Sequence, residues 1–105
     1  MPRRRTPKGY RYFRRAFLNR EGWYLGAHIL ATVAESGNYA RVNIADCDRV
    51  IRLEFDAEDT REMRNSLHKL DLLITTLIEV RNELTNGYIA HRTAEAERRR
   101  KRRQS

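Results

Sequence analysis

The chain has 105 residues, a formal net charge of +8 and one cysteine, Cys47. That length allows a single domain, and a lone cysteine excludes a disulfide framework and fits a reducing compartment. No apolar run approaches the ~20 residues a bilayer-spanning helix needs, and the arginine-rich start lacks the apolar core of a secretory signal.

Charge is sorted along the chain. Residues 1–20 carry eight basic residues and no acid, residues 21–91 are net acidic, and residues 92–105 are again strongly basic. Blocks of like charge act as interaction tails and attract polyanions without regard to sequence. An acidic body between two cationic arms is therefore expected: a basic aromatic arm over 1–20, an α+β core over 21–87 and a basic tail over 88–105. Arginine dominates the basic residues, which fits a GC-rich genome such as that of a phage or an actinobacterium.

In the first arm, basic and aromatic residues alternate. Arg3, Arg4, Arg5, Lys8, Arg11, Arg14, Arg15 and Arg20 are candidate phosphate ligands, and Tyr10 and Tyr12 are candidate stacking groups. Guanidinium groups pair with phosphate oxygens in a bidentate fork, while rings stack on unpaired bases. Phe17 and Trp23 are expected in the core. The run Tyr10, Phe13, Phe17, Leu18 fits either a short helix or a strand preceding the others.

Residues 23–55 predict a β-meander. Ser36-Gly37-Asn38 marks a turn. With Gly37-Asn38 as its loop, Val33 pairs with Val42 and Ala31 with Ile44. Asp46-Cys47-Asp48-Arg49 marks a second turn, and a loop of either two or four residues pairs Ile44 with Ile51, Val42 with Leu53 and Ala40 with Phe55. Both hairpins then place one apolar set on one face, from Leu25, Ala27, Ile29, Ala31 and Val33 through Ala40, Val42 and Ile44 to Ile51, Leu53 and Phe55. The other face carries Tyr24, His28, Leu30, Thr32, Tyr39, Arg41, Asn43, Arg52 and Glu54. Such a face suits a nucleic-acid strand, or else satisfies itself through pairs such as Arg41 with Glu54.

A long helix follows, with Asp56 as its expected N-cap and Glu58, Asp59 and Glu62 on the positive end of its dipole. Met63, Leu67, Leu70, Ile74, Leu77 and Leu84 recur at spacings of four and three, interrupted by Arg81, and are expected to cover the sheet. Leu72, Leu73, Ile78 and Val80 add apolar surface that one small sheet cannot bury. They predict a homodimer interface. Asn86-Gly87 is expected to end this helix. Beyond it, Arg98, Arg99, Arg100, Lys101, Arg102 and Arg103 form the second set of candidate phosphate contacts, in a tail whose charge opposes helix formation until neutralised.

The fold expected is thus α+β: a three-stranded antiparallel meander, or a four-stranded one if the first arm adds a strand, then one long helix, with flexible basic arms. The element order resembles that of the double-stranded-RNA-binding domain, although acidic Asp56-Ala57-Glu58-Asp59 stands where that family carries a basic Lys-Lys-x-Ala-Lys segment. The layout of residues 23–75 is also similar to the arm-binding domains of phage integrases, and strands followed by a dimerising helix resemble the PUR and Whirly folds. Fold likeness does not transfer function.

Catalysis finds no support. His28, His68 and His91 are scattered, Asp46-Cys47-Asp48 lacks metal-ligand spacing, and no phosphate loop, dinucleotide turn or HExxH occurs. No catalytic residue, metal or cofactor is expected. Three functional classes remain: a cytoplasmic (in bacteria, nucleoid-associated) nucleic-acid-binding protein of low sequence specificity, a small regulator or inhibitor that docks on a host protein, and a structural component of a virion or nucleoprotein. A polybasic membrane contact lacks a lipidation motif or amphipathic helix to support it.

Overall fold

The computed structural model describes residues 6–22 and 26–104. Four strands, β1 (Tyr10–Phe17), β2 (His28–Ala34), β3 (Tyr39–Asp46) and β4 (Arg49–Asp56), are followed by one helix, α1 (Thr60–Gln104). The strands form a single antiparallel sheet in the order β1-β2-β3-β4. The fold is α+β, and the N-terminal run is its fourth strand.

The β3–β4 hairpin has the expected register, with Ile44 opposite Ile51, Val42 opposite Leu53 and Ala40 opposite Phe55. Asp46 pairs with Arg49, so Cys47-Asp48 is a two-residue loop. Cys47 takes a φ of 57° there, as the first central position of a tight hairpin turn can require.

The β2–β3 register differs from the expected one. Val33 faces Ala40 and Ala31 faces Val42, a displacement of two residues. The loop holds four residues, Glu35 to Asn38. Gly37, at φ 75°, donates its N–H to the Ala34 carbonyl at 2.8 Å, and Asn38 accepts from the Ala57 N–H at 2.9 Å. Because side chains alternate with period two, a shift of two leaves every residue on its expected face.

β1 pairs with β2 through Phe13 opposite Thr32, Arg15 opposite Leu30 and Phe17 opposite His28, with a bulge between Tyr10 and Tyr12. Phe17 is 58% exposed rather than part of the core, because an outer strand has no layer above its end. Trp23 and Leu25 lie outside the described residues. Among those described, the buried apolar residues are Ala27, Ala45 and Phe55.

The cap of α1 lies three residues beyond the expected one, since Asp56 still belongs to β4. Asp59 is the N-cap: its carboxylate accepts the Glu62 N–H at 2.8 Å. Glu62 reaches back to the Glu58 N–H at 3.0 Å, a variant of the capping box. Buried Ser66 donates its hydroxyl to the Asp56 carbonyl at 2.6 Å.

The helix does not end at Asn86-Gly87 but runs to Gln104. A glycine inside a helix costs about 1 kcal/mol. Good helix formers outweigh it here: Ala90, Ala94, Ala96 and the Glu and Arg residues of the last turns, with basic residues favourable at the C-terminal end of the dipole. The segment expected as a flexible tail is thus the last part of α1.

The division into compact units falls inside this helix, with residues 1–68 in one and 69–105 in the other. A 45-residue helix is about 67 Å long at ~1.5 Å per residue, whereas an eight-residue strand spans about 27 Å. The sheet therefore cannot cover the whole helical stripe. Ile74, Leu77 and Leu84 are all exposed, Leu84 to 72%.

Helical geometry also revises which apolar residues stand together. At ~100° per residue, Met63, Leu67, Leu70, Ile74, Leu77, Leu84 and Tyr88 share an arc of roughly 100°. Leu73 and Val80 flank it on one side and Ile78 on the other. Leu72 alone of the four expected interface residues points away, so the helix is apolar over about half its circumference.

Candidate nucleic-acid interface

Directly opposed residues in a sheet share a face. The register therefore sorts the candidate contacts of β1 into two groups. Tyr12 and Arg14 stand with Val33 and Ala31, on the face of the apolar set. Phe13, Arg15 and Phe17 stand on the other face with Thr32, Leu30 and His28. The bulge brings Tyr10 to this second face as well, where its ring meets that of Phe13 at 5.6 Å between centroids, tilted by 56°.

Rows of cross-strand neighbours then run across the second face. One row is Phe13, Thr32, Arg41 and Glu54; the next is Arg15, Leu30, Asn43 and Arg52. A hollow of about 120 Å³ lies among Tyr10, Phe13, Leu30, Thr32, Arg41 and Asn43. A cavity near 150 Å³ admits one benzene ring, so its volume is of the order of a single small ring. A wider depression of about 410 Å³ is lined by Arg15, Ala16, Phe17 and His28.

The Asn43 Oδ1 is shielded from solvent and has no hydrogen-bond partner. Leaving such an acceptor unpaired costs about 1–3 kcal/mol. Further along the face, the Tyr39 hydroxyl donates to Glu54 Oε1 at 2.9 Å. That hydrogen bond to the carboxylate raises the Tyr39 phenol above its ordinary value. Arg41 faces Glu54 in the ladder, as expected from the sequence.

The remaining candidates are dispersed. Lys8 precedes β1 and Arg20 lies in the β1–β2 loop, both exposed. Arg3, Arg4 and Arg5 lie outside the described residues. Arg98 to Arg103 are exposed on the last turns of α1. Six consecutive residues at ~100° each point in all directions around the axis, so these cations ring the helix. Among the described residues there is no cluster of three or more metal-ligating side chains, and no helix is long and apolar enough to cross a membrane.

Reasoning from sequence set Arg41 and Asn43 on a face suited to a nucleic-acid strand but did not join Phe13 to them. The signal that unites them is the β1–β2 register, which depends on a bulge that no residue in 10–12 announces. Comparison with protein-family models, curated proteins and solved structures finds no match for this chain.

Proposed function

We propose that this protein binds single-stranded nucleic acid across the second face of its sheet, with its cationic segments holding the phosphate backbone. The observation that carries this reading is the convergence of a ring pair (Tyr10 and Phe13), the guanidinium of Arg41 and the unpartnered amide oxygen of Asn43 around one hollow. Each supplies a different part of nucleotide recognition. Rings stack on a base that duplex pairing would hide, arginine neutralises phosphate or stacks in turn, and the carboxamide of Asn43 lines the hollow that a base edge would enter. A single amide reads few base edges, while arginines of β1 and of the end of α1 contact only backbone, so sequence specificity is low. Such a ligand places the protein in the cytoplasm or, in bacteria, on the nucleoid. The protein acts as a homodimer built on the apolar stripe of α1.

Fluorescence anisotropy with single-stranded DNA, single-stranded RNA and duplex DNA across a salt series tests this. Single strands are expected to bind more tightly than duplex, with a slope of roughly 0.7 per phosphate contact in log–log form. Replacing Phe13 with alanine removes one stacking platform and weakens single-strand binding about 5- to 150-fold, by the ~1–3 kcal/mol that stacking of one base contributes. Equal affinity for duplex and single strand, unmoved by Phe13→Ala, would sink the proposal.

A further inference from the structure

We infer that the exposed stripe of α1 pairs with the same stripe of a second copy running in the opposite direction. The inference does not rest on the identity of the ligand. Met63, Leu67, Leu70, Ile74, Leu77, Arg81, Leu84 and Tyr88 alternate at spacings of four and three along one continuous helix, the seam of a two-stranded coiled coil. Met63, Leu67, Ile74, Leu77, Leu84 and Tyr88 are all exposed. No solvent-facing role accounts for such a stripe, and a second copy supplies its complement.

Orientation follows from Arg81 and from the ends. In a parallel pair, Arg81 meets Arg81 of the other copy in the apolar seam, and two like charges there are strongly unfavourable. A parallel pair also sets the two rings of cations at Arg98–Arg103 side by side. The antiparallel alignment removes both conflicts. It places Met63 against Tyr88, Leu67 against Leu84, Leu70 against Arg81 and Ile74 against Leu77. Arg81 then packs beside a leucine whose next residue, Asp71, is an acid within reach of a long side chain. On the flank, Leu73 meets Val80. Arg92 comes level with Asp59, so that a basic residue near one helix end meets the acidic start of the other, where Glu58, Asp59 and Glu62 cluster.

The same alignment leaves residues 92–104 of each helix extending past the start of its partner, which begins at Thr60. The two cationic ends are carried to opposite ends of the pair, roughly 75 Å apart at ~1.5 Å per residue.

Spin labels on the outer side of the helix decide the matter. In a full-length Cys47→Ser background, a nitroxide is placed at Glu79→Cys in one protein and at Ala90→Cys in another, and the distance between copies is read by double electron–electron resonance. Antiparallel pairing predicts a distance near ~25 Å for position 79, set by the ~10–12 Å diameter of each helix, and near ~50 Å for position 90. Distances near ~25 Å at both positions would mean parallel pairing and overturn the orientation. Absence of dipolar modulation at both would mean that α1 does not pair.

Discussion

The sheet and the outer part of α1 both leave much apolar surface exposed, yet they do so for opposite reasons. β2 is half-buried at every position, held by hydrogen bonds to the strands that precede and follow it, β1 and β3. Its two faces are chemically unlike, one largely aliphatic and the other mixed aromatic, cationic and amide. Residues 69–104 are held only by bonds between near neighbours in sequence, and their side chains repeat one theme, apolar on one side and charged on the rest. Chemical variety has been placed where long-range pairing fixes the backbone. Repetition has been placed along a helical stripe that stands exposed. Each region is open to a different kind of partner.

The sharpest way to break this contrast is to act on one region and read the other. Replacing Ile74 and Leu77 together with glutamate should abolish pairing and halve the mass seen by light scattering. Each change removes about 1.5–3 kcal/mol of apolar burial per copy and adds a charge to the seam. The strand amide signals in NMR spectra should stay in place, because the sheet is held by its own cross-strand hydrogen bonds. An unchanged mass would assign the dimer to another surface.

Glycine separates the regions by sign. Gly87→Ala lies inside α1 and should stabilise the helix by about 0.5–1 kcal/mol, raising Tm by a few degrees in circular dichroism at 222 nm. Gly37→Ala falls at a φ of 75° in the β2–β3 loop and should destabilise the sheet by about 1–2 kcal/mol. Stabilisation by both would mean that the loop has relaxed out of the left-handed region.

The smallest effect is confined to the sheet. Because its bond to Glu54 raises the Tyr39 phenol, the folded state favours the protonated ring. The stabilisation is fully present below the ordinary tyrosine range and is lost as pH rises through the higher folded value. An ultraviolet titration of tyrosinate should show one late-ionising group that Tyr39→Phe deletes and Glu54→Gln moves earlier. A titration unchanged by Glu54→Gln would disconnect the pair.

Sequence reasoning succeeded where two independent signals agreed. Around Asp46 to Arg49, both plausible loop lengths give one register, and the alternation of Val42, Ile44, Ile51 and Leu53 fits it. Around Gly37, the glycine–asparagine dipeptide suggested a loop half as long as the real one, and period two concealed the slip. Tyr10, Phe13 and Phe17 are spaced by three and four, which imitates a helix. A bulge reconciles that spacing with a strand by turning Tyr10 onto the face of Phe13. The hollow at Asn43 was illegible for the same reason, since two of its walls come from β1. At Gly87 a strong local stop signal lost to the helix-forming residues on either side, a balance that no single position reveals.

The place of β1 at the rim of the sheet has one further consequence. An outer strand presents unpaired backbone donors and acceptors, and proteins guard such a border with charge and with bulges. Arg11, Arg14 and Arg15, all exposed, and the irregularity at Tyr10–Tyr12 meet that need. A polyanion that neutralises these arginines would also lift the guard. If nucleic acid binds as proposed, saturation with it would bare the backbone groups of β1 to a neighbouring sheet, turning a guarded border into one open to strand addition.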